Sequence, residues 1–307
     1  GSITGSTGLT KSGTGTLTIS NANSFTGSTV ISGGSVEMQN AAALGTTAGS
    51  ITVADGAALR LSGGIAVGAK ALTLGGGGVS GTGALRNISG NNSHAGAIML
   101  TMPTRIHSDA GLLTLSGSIV NGLNSLTFGG AGDITAAGLI GNGAGALIVD
   151  GTGTVTLGNA ANTYTGRTFI RSGVLSVSKV GSVGVAGGLG APTTMGAGTI
   201  ALGDAASTGT LRWTGAANET TDRAIDLAGT TGGAVLDASG TGGSVITFGG
   251  AITATGTGGK TLTLTGTGGT TGTPNIISQS LADGGAAAIS LLKTGTGVWR
   301  LDGASTY

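Results

Sequence analysis

The sequence predicts an all-β chain wound as a β-solenoid, and three observations carry that expectation. Gly supplies 67 of the 307 residues, while Pro supplies 3 and Cys none. That is a turn-rich composition, yet it lacks the proline and the Gly-every-third spacing of collagen and the cysteines of a disulfide scaffold. Charged residues make up only 8%, the net charge is +1 and mean hydropathy is +0.36, whereas a disordered chain combines low hydropathy with high charge. Finally, a phrase recurs: GTGTLTISNANSFTG from Gly13, GTGTVTLGNAANTYTG from Gly151 and GTGVWRLDGASTY from Gly295. A period-two apolar run bounded by glycine turns, repeated along a chain, is the signature of stacked β structure.

Taken in order, short alternating runs at 17–19, 29–31, 35–38, 50–53 and 58–61 open the chain, followed by 71–74, 112–115, 125–128 and 146–149. The second half continues with 155–157, 169–170, 174–177, 199–202, 211–213, 245–248, 262–264 and 298–301. In most of them two apolar side chains flank a Thr, Arg or Ser, so one face turns inward and the other meets water. Gly-Gly, Gly-Thr-Gly, Asp-Gly and Asn-Ala-Asn connect them, and these residues tolerate the positive φ of sharp corners. The Ala-rich stretch at 186–191 is interrupted by glycine, so no helix of useful length is expected.

Uniform texture without a linker points to one continuous solenoid over 1–307. With aromatics at 3%, stacked Leu, Ile, Val and Ala would fill a narrow core better than a sandwich. A repeat of roughly 20–25 residues gives on the order of a dozen coils, and about 4.8 Å per stacked strand makes a rod roughly 60 Å long.

The 13 basic residues form no run, so electrostatic capture of nucleic acid is not expected. No stretch of about 18 apolar residues exists to span a membrane as a helix. Catalysis finds little support. The two histidines, His94 and His107, read as loop or surface residues; they lack a nucleophile elbow and the company a zinc site needs. The stretch 254–261 misses a phosphate-binding loop by its first glycine, which leaves Lys260 as a solvated turn residue, and 76–81 is no dinucleotide loop. Asp133 stands one place early for a calcium-binding β-roll, and the motif occurs once. Asp222 and Asp226, with Arg223 between them, are the closest carboxylate pair and read as solvated turn charges flanking Ile225. The Thr-x-Thr spacings at 16–18, 154–156 and 261–263 could suit ice, but β-branched residues favour strands anyway. No catalytic, cofactor-binding or metal-ligating residue is therefore expected.

The stretch 9–36, LTKSGTGTLTISNANSFTGSTVISGGSV, closely resembles the autotransporter-associated β-strand repeat, whose pattern reads approximately LTKTGaGTLTLsGaNTYTGgTtvnaGtL. Asn162-Thr163-Tyr164-Thr165-Gly166 repeats its middle, and Leu292-Lys293-Thr294-Gly295-Thr296-Gly297 its opening, so copies fall at 9–36, 149–177 and 291–307, the last truncated. The resemblance implies a right-handed parallel β-helix: the passenger of a type V secreted protein, displayed outside a Gram-negative-type outer membrane. It implies a β-barrel translocator in the same longer precursor, of which this chain is a section. A structural role falls on the motif residues Gly13, Gly15, Asn23, Phe25, Gly27, Gly151, Gly153, Asn162, Tyr164, Gly166, Gly295, Gly297 and Tyr307. The expected function is a structural stalk or adhesin without an active site, with self-association into fibres or contacts to a cell-surface matrix as its extension. A β-helical polysaccharide-active enzyme is the alternative, and an ice-binding module the third. Dispersed charges would argue against the enzyme; convergence of Asp222, Asp226 and Arg223 with distant charges would favour it.

Overall fold

A three-residue strand cannot satisfy its own backbone, so each short run here must find its hydrogen bonds one coil away. In the computed structural model, which describes residues 1–141, 143–284 and 287–306, it does so in parallel pairings such as Leu9 with Thr29, Thr29 with Ile51, and Leu211 with Leu236. Side chains reach to the next coil as well, across 20 residues from Asn23 to Ala43 and 26 from Asn162 to Gly188. The result is a parallel β-solenoid of about 13 turns.

The chain forms two compact units, one of residues 1–145 with 151–153 and one of 146–150 with 154–307. Three sheets line the first. One runs Leu9–Lys11, Thr29–Ile31, Ile51–Val53, Leu72–Leu74, Ile98–Leu100, Ile119–Val120 and Ile140–Gly141. A second holds Thr16–Ile19, Ser35–Met38, Ala58–Ser62, Leu85–Ser89, Thr104–Ser108 and Leu126–Gly129. The third begins only at the two-residue strand Ala66–Val67 and continues with Asn92–His94, Leu112–Leu115 and Asp133–Ala136. In the second unit one sheet contains Leu147–Val149, Thr168–Ile170, Ile200–Leu202, Ile225–Leu227 and Ile252–Ala254. Another contains Thr154–Leu157, Gly173–Val177, Gly209–Trp213, Ala234–Ala238, Lys260–Thr265 and Ile289–Lys293. The last stacks Glu219–Thr221, Ile246–Phe248, Asn275–Ile277 and Trp299–Leu301.

In-register pairing turns the apolar alternation into ladders. Val36, Leu59 and Leu85 stack in the first unit, and Leu175, Leu211, Leu236 and Leu264 in the second, all buried. The one fully buried tryptophan shows how tightly such a column is fitted. Trp213 lies between Val177 and Ala238, and a Cβ on Gly215 or Gly240 would come within 2.4 Å of its ring. Only small neighbours leave room for an indole in so narrow a core.

Helix is confined among the described residues to one α turn, Met195–Gly198, and one 3-10 turn, Val79–Gly81. The expected runs are strands. Three further strands place polar side chains inward, Asn92–His94, Glu219–Thr221 and Asn275–Ile277, while Ile98–Leu100, Ile225–Leu227 and Ala234–Ala238 bury apolar residues outside the expected runs. Three assignments of exposed side chains are corrected: His94 is fully buried, Lys260 is 2% exposed and Asp226 5%; Arg223, between the two aspartates, is fully buried as well. For Lys260 the cause is strand register. It opens an inward-facing alternation beside Ile289, its stem lies in the core, and its ammonium returns 3.3 Å to the Gly258 carbonyl.

Candidate functional site

The recurring phrase builds the same corner in both units. In the first, the Asn23 carboxamide works at both ends. Its Oδ1 accepts from the Ile3 amide at 2.7 Å, and its Nδ2 donates to the Ala43 carbonyl at 2.6 Å. Phe25, two places on, is buried, and its carbonyl accepts from the Thr46 amide at 3.0 Å. Gly45 passes directly over it with φ +74°, where a Cβ would lie 2.2 Å from the Phe25 oxygen and 3.0 Å from the ring. In the second unit Asn162 donates to Gly188 at 2.8 Å and Tyr164 accepts from Ala191 at 2.8 Å. Gly190, again at φ +74°, repeats the 2.2 Å and 3.0 Å approaches. Ser305 takes the asparagine place in the third copy, where its Oγ accepts from the Leu281 amide at 3.2 Å. Tyr307 lies outside the described residues.

The motif glycines divide by conformation. Gly13 and Gly295 are left-handed, at +73° and +66°, which any other residue would resist. At Gly27, Gly151, Gly153 and Gly297 the neighbouring coil is the constraint, since a Cβ would come within 2.5 Å of its backbone. Gly166 is buried and Gly15 open.

Tyr164 differs from Phe25 by a hydroxyl, which meets Thr168 Oγ1 at 2.9 Å. Burial pushes this phenol up to about 12, against downward pulls from Thr168 and Arg223. Arg223 is the largest polar group in the core. Its Nε donates to Gly181 and its Nη2 to Gly190, each at 3.0 Å, so it grips the glycine that covers Tyr164. Burial lowers its basicity, opposed by Tyr164, Asp222 and Glu219. Glu219 accepts from the Gly181 amide at 2.7 Å, the Val180 amide at 3.1 Å and the Trp213 indole at 2.7 Å. Thr221 donates to Gly181, and Asp222 accepts from Val183. The stretch 219–223 thus pins the loop that leaves the strand Gly173–Val177.

The carboxylates do not converge. Asp222 is exposed on the loop side, while Asp226 takes Arg167 Nη2 at 2.8 Å and Thr255 Oγ1 at 2.8 Å. Other charges are answered locally: Glu37 by Arg60 at 3.3 Å, Asp109 by Arg86 at 2.8 Å and His107 at 3.2 Å, Asp237 by Arg212 at 2.7 Å. Among the described residues no group of three His, Asp or Glu could hold a metal ion. An open cavity of about 450 Å³ is lined by Ala160, Ser178, Lys179, Ala216, Asn218 and Glu219. Its carboxylate is engaged by the three donors above, and Lys179 Nζ donates to the Ala186 carbonyl at 3.0 Å.

The passenger-associated transport repeat matches this sequence at residues 9–38, 142–177 and 291–307, the segments that build the corners. Three segments of the chain carry that repeat. Over 64 residues it is 42% identical to the adhesin BmaC autotransporter of Brucella suis biovar 1, a match that covers 21% of this chain and 2% of that relative. The chain therefore spans a small fraction of the curated protein it resembles. No solved structure matches it.

The passenger repeat as a sequence pattern stops short of its own corner. Leu44-Gly45 and Leu189-Gly190, which close over Phe25 and Tyr164, fall on the following coil and were not singled out. A second-order signal was available, since Ala-Leu-Gly and Gly-Leu-Gly follow the aromatic residue at 43–45 and 188–190. Arg223 offered none, because its partners are backbone carbonyls more than thirty residues away.

Proposed function

We propose that this chain is a section of a secreted autotransporter passenger that serves as a surface-displayed stalk and adhesin and has no active site of its own. It is a passenger-type β-helix, and its family implies a linked β-barrel translocator and display at the cell surface. Among the described residues no helix is long and apolar enough to cross a membrane. The observation that carries the reading is the row facing outward from the first sheet of the first unit. Thr10, Val30, Thr52, Thr73, Met99 and Val120 stand in register on consecutive coils without one charge. Val30, Met99 and Val120 are 39%, 51% and 37% exposed. An uncharged row of hydroxyls and apolar side chains in register suits weak, additive contacts with another surface, including a second copy of itself. Locally paired charges, and a Glu219 engaged by three donors of its own fold, favour this over polysaccharide chemistry.

The test is adherence. Beads coated with the chain should bind host-cell or matrix-coated surfaces, or clump with one another. A Val30→Lys, Met99→Glu and Val120→Lys triple variant should do so at least tenfold less while keeping its β-sheet circular dichroism. Equal adherence of the variant removes this face from the reading, and polysaccharide cleavage by the wild type would replace it with the enzyme.

A further inference from the structure

The third sheet of the first unit starts at its weakest point. Its terminal strand, Ala66–Val67, pairs with Asn92–His94 over only two residues. The amides of Ser93 and Ala95 donate to Ile65 and Val67, and the Ile65 amide donates to Asn92 Oδ1 at 2.6 Å. Gly63 and Gly64, both left-handed at +87° and +76°, lead into this strand. Behind it lies His94, fully buried in the column between Val67 and Leu115. Neither of its ring nitrogens has a hydrogen-bond partner, and the Lys70 backbone lies near without reaching that geometry.

We propose that residues 63–71 form an acid-released flap, in which protonation of His94 expels the Ala66–Val67 strand and bares the edge of Asn92–His94. An imidazolium in an apolar column has no anion to meet. The inward side chains of the strands closing the same coils are aliphatic, as at Leu72, Leu85, Ile98 and Ile106, or neutral, as at Asn87 and Ser108. The one other ionisable group in place is itself a cation. Lys70, 2% exposed, donates to the Thr46 carbonyl at 2.5 Å, and burial lowers its basicity. Arg86, Arg105 and His107 stand at the outward positions of their strands, half-buried.

Burial pushes His94 down to about 4 from an ordinary 6.5, against a smaller upward pull from the Lys70 backbone. Below pH 6.5 the opened flap therefore binds a proton that the closed flap refuses. The closed form is fully favoured above pH 6.5, loses ground as pH falls toward 4, and changes no further below it. Each unit of that difference is a factor of ten, so the closed-to-open ratio falls about 300-fold across the window.

Hydrogen exchange read by mass spectrometry on the full chain, corrected for intrinsic rates, tests this between pH 7 and 4.5. Exchange at 63–71 and 92–95 should rise at least tenfold relative to the other coils, and His94→Leu, which continues the aliphatic column, should abolish the rise. An equal rise in His94→Leu, or none in the wild type, overturns the proposal. Should that variant fail to fold, the NMR titration of His94 in the wild type decides. A midpoint near 4 that moves together with flap exchange supports it, and a midpoint above 6 without any change in exchange overturns it.

Discussion

Tyr164 and Phe25 occupy one position in two copies of one motif, and the hydroxyl is the only chemical difference between them. The protein tolerates either ring, so the aromatic body carries the energy. Tyr164→Phe should cost about 1 kcal/mol, the worth of its hydrogen bond to Thr168. Tyr164→Ala should cost about 3–5 kcal/mol through the cavity it leaves, both read by urea unfolding. The glycine above the ring is the more fragile partner. Gly190→Ala combines a left-handed backbone with a contact 2.2 Å from the Tyr164 oxygen. It should lower stability by at least about 1–3 kcal/mol, while Gly196→Ala, with nothing nearby, should be close to neutral. Equal effects of the two alanines would show that the corner does not constrain the fold.

Among elements, the loop between the strands Gly173–Val177 and Ile200–Leu202 depends most on side chains far away in sequence. Where the other coils step by 19 to 29 residues, the bonds from Glu219 and Asp222 to this loop span 38 and 39. Glu219→Ala frees the Val180 and Gly181 amides and the Trp213 indole together. Limited proteolysis within 182–196 should quicken at least tenfold, with the sheets' circular dichroism unchanged. Unaltered cleavage would mean that Arg223 and Thr221 hold the loop unaided. Many strands were legible from alternating apolar residues, as at 58–61 and 262–264, though 98–100 and 225–227 also bury aliphatic residues at both ends and stand outside the expected runs. Asn92–His94 and Asn275–Ile277 were not legible, since an inward asparagine reads as a turn until the carbonyls it meets are in view. Asn275 donates to Gly268 and Val298, partners that no local pattern names.

At the scale of the whole molecule, each coil touches its neighbours and little else, so damage should stay local. Leu59→Ala in the first unit and Leu236→Ala in the second, both fully buried, should each cost about 2–5 kcal/mol. Hydrogen exchange should show protection lost in the adjoining coils of the same unit. Loss spread evenly through the chain would contradict a nearest-neighbour stack. The acid lability of the flap belongs to the same pattern, as one weak contact in an otherwise repetitive ladder.

The amino-acid order by itself determined the solenoid, the repeat and the inward-outward alternation. These follow from period-two apolarity and glycine spacing, which act between near neighbours. The tertiary structure decided which polar groups are buried. His94, Lys260 and Asp226 read as solvated because their own neighbourhoods are polar or glycine-rich, and nothing nearby marks Arg223 as buried. Winding the chain places each beside residues twenty to sixty positions away, and there backbone carbonyls, guanidinium groups or plain hydrocarbon replace water. Burial in a stacked coil is set by register, and register becomes visible only when the coils lie on one another.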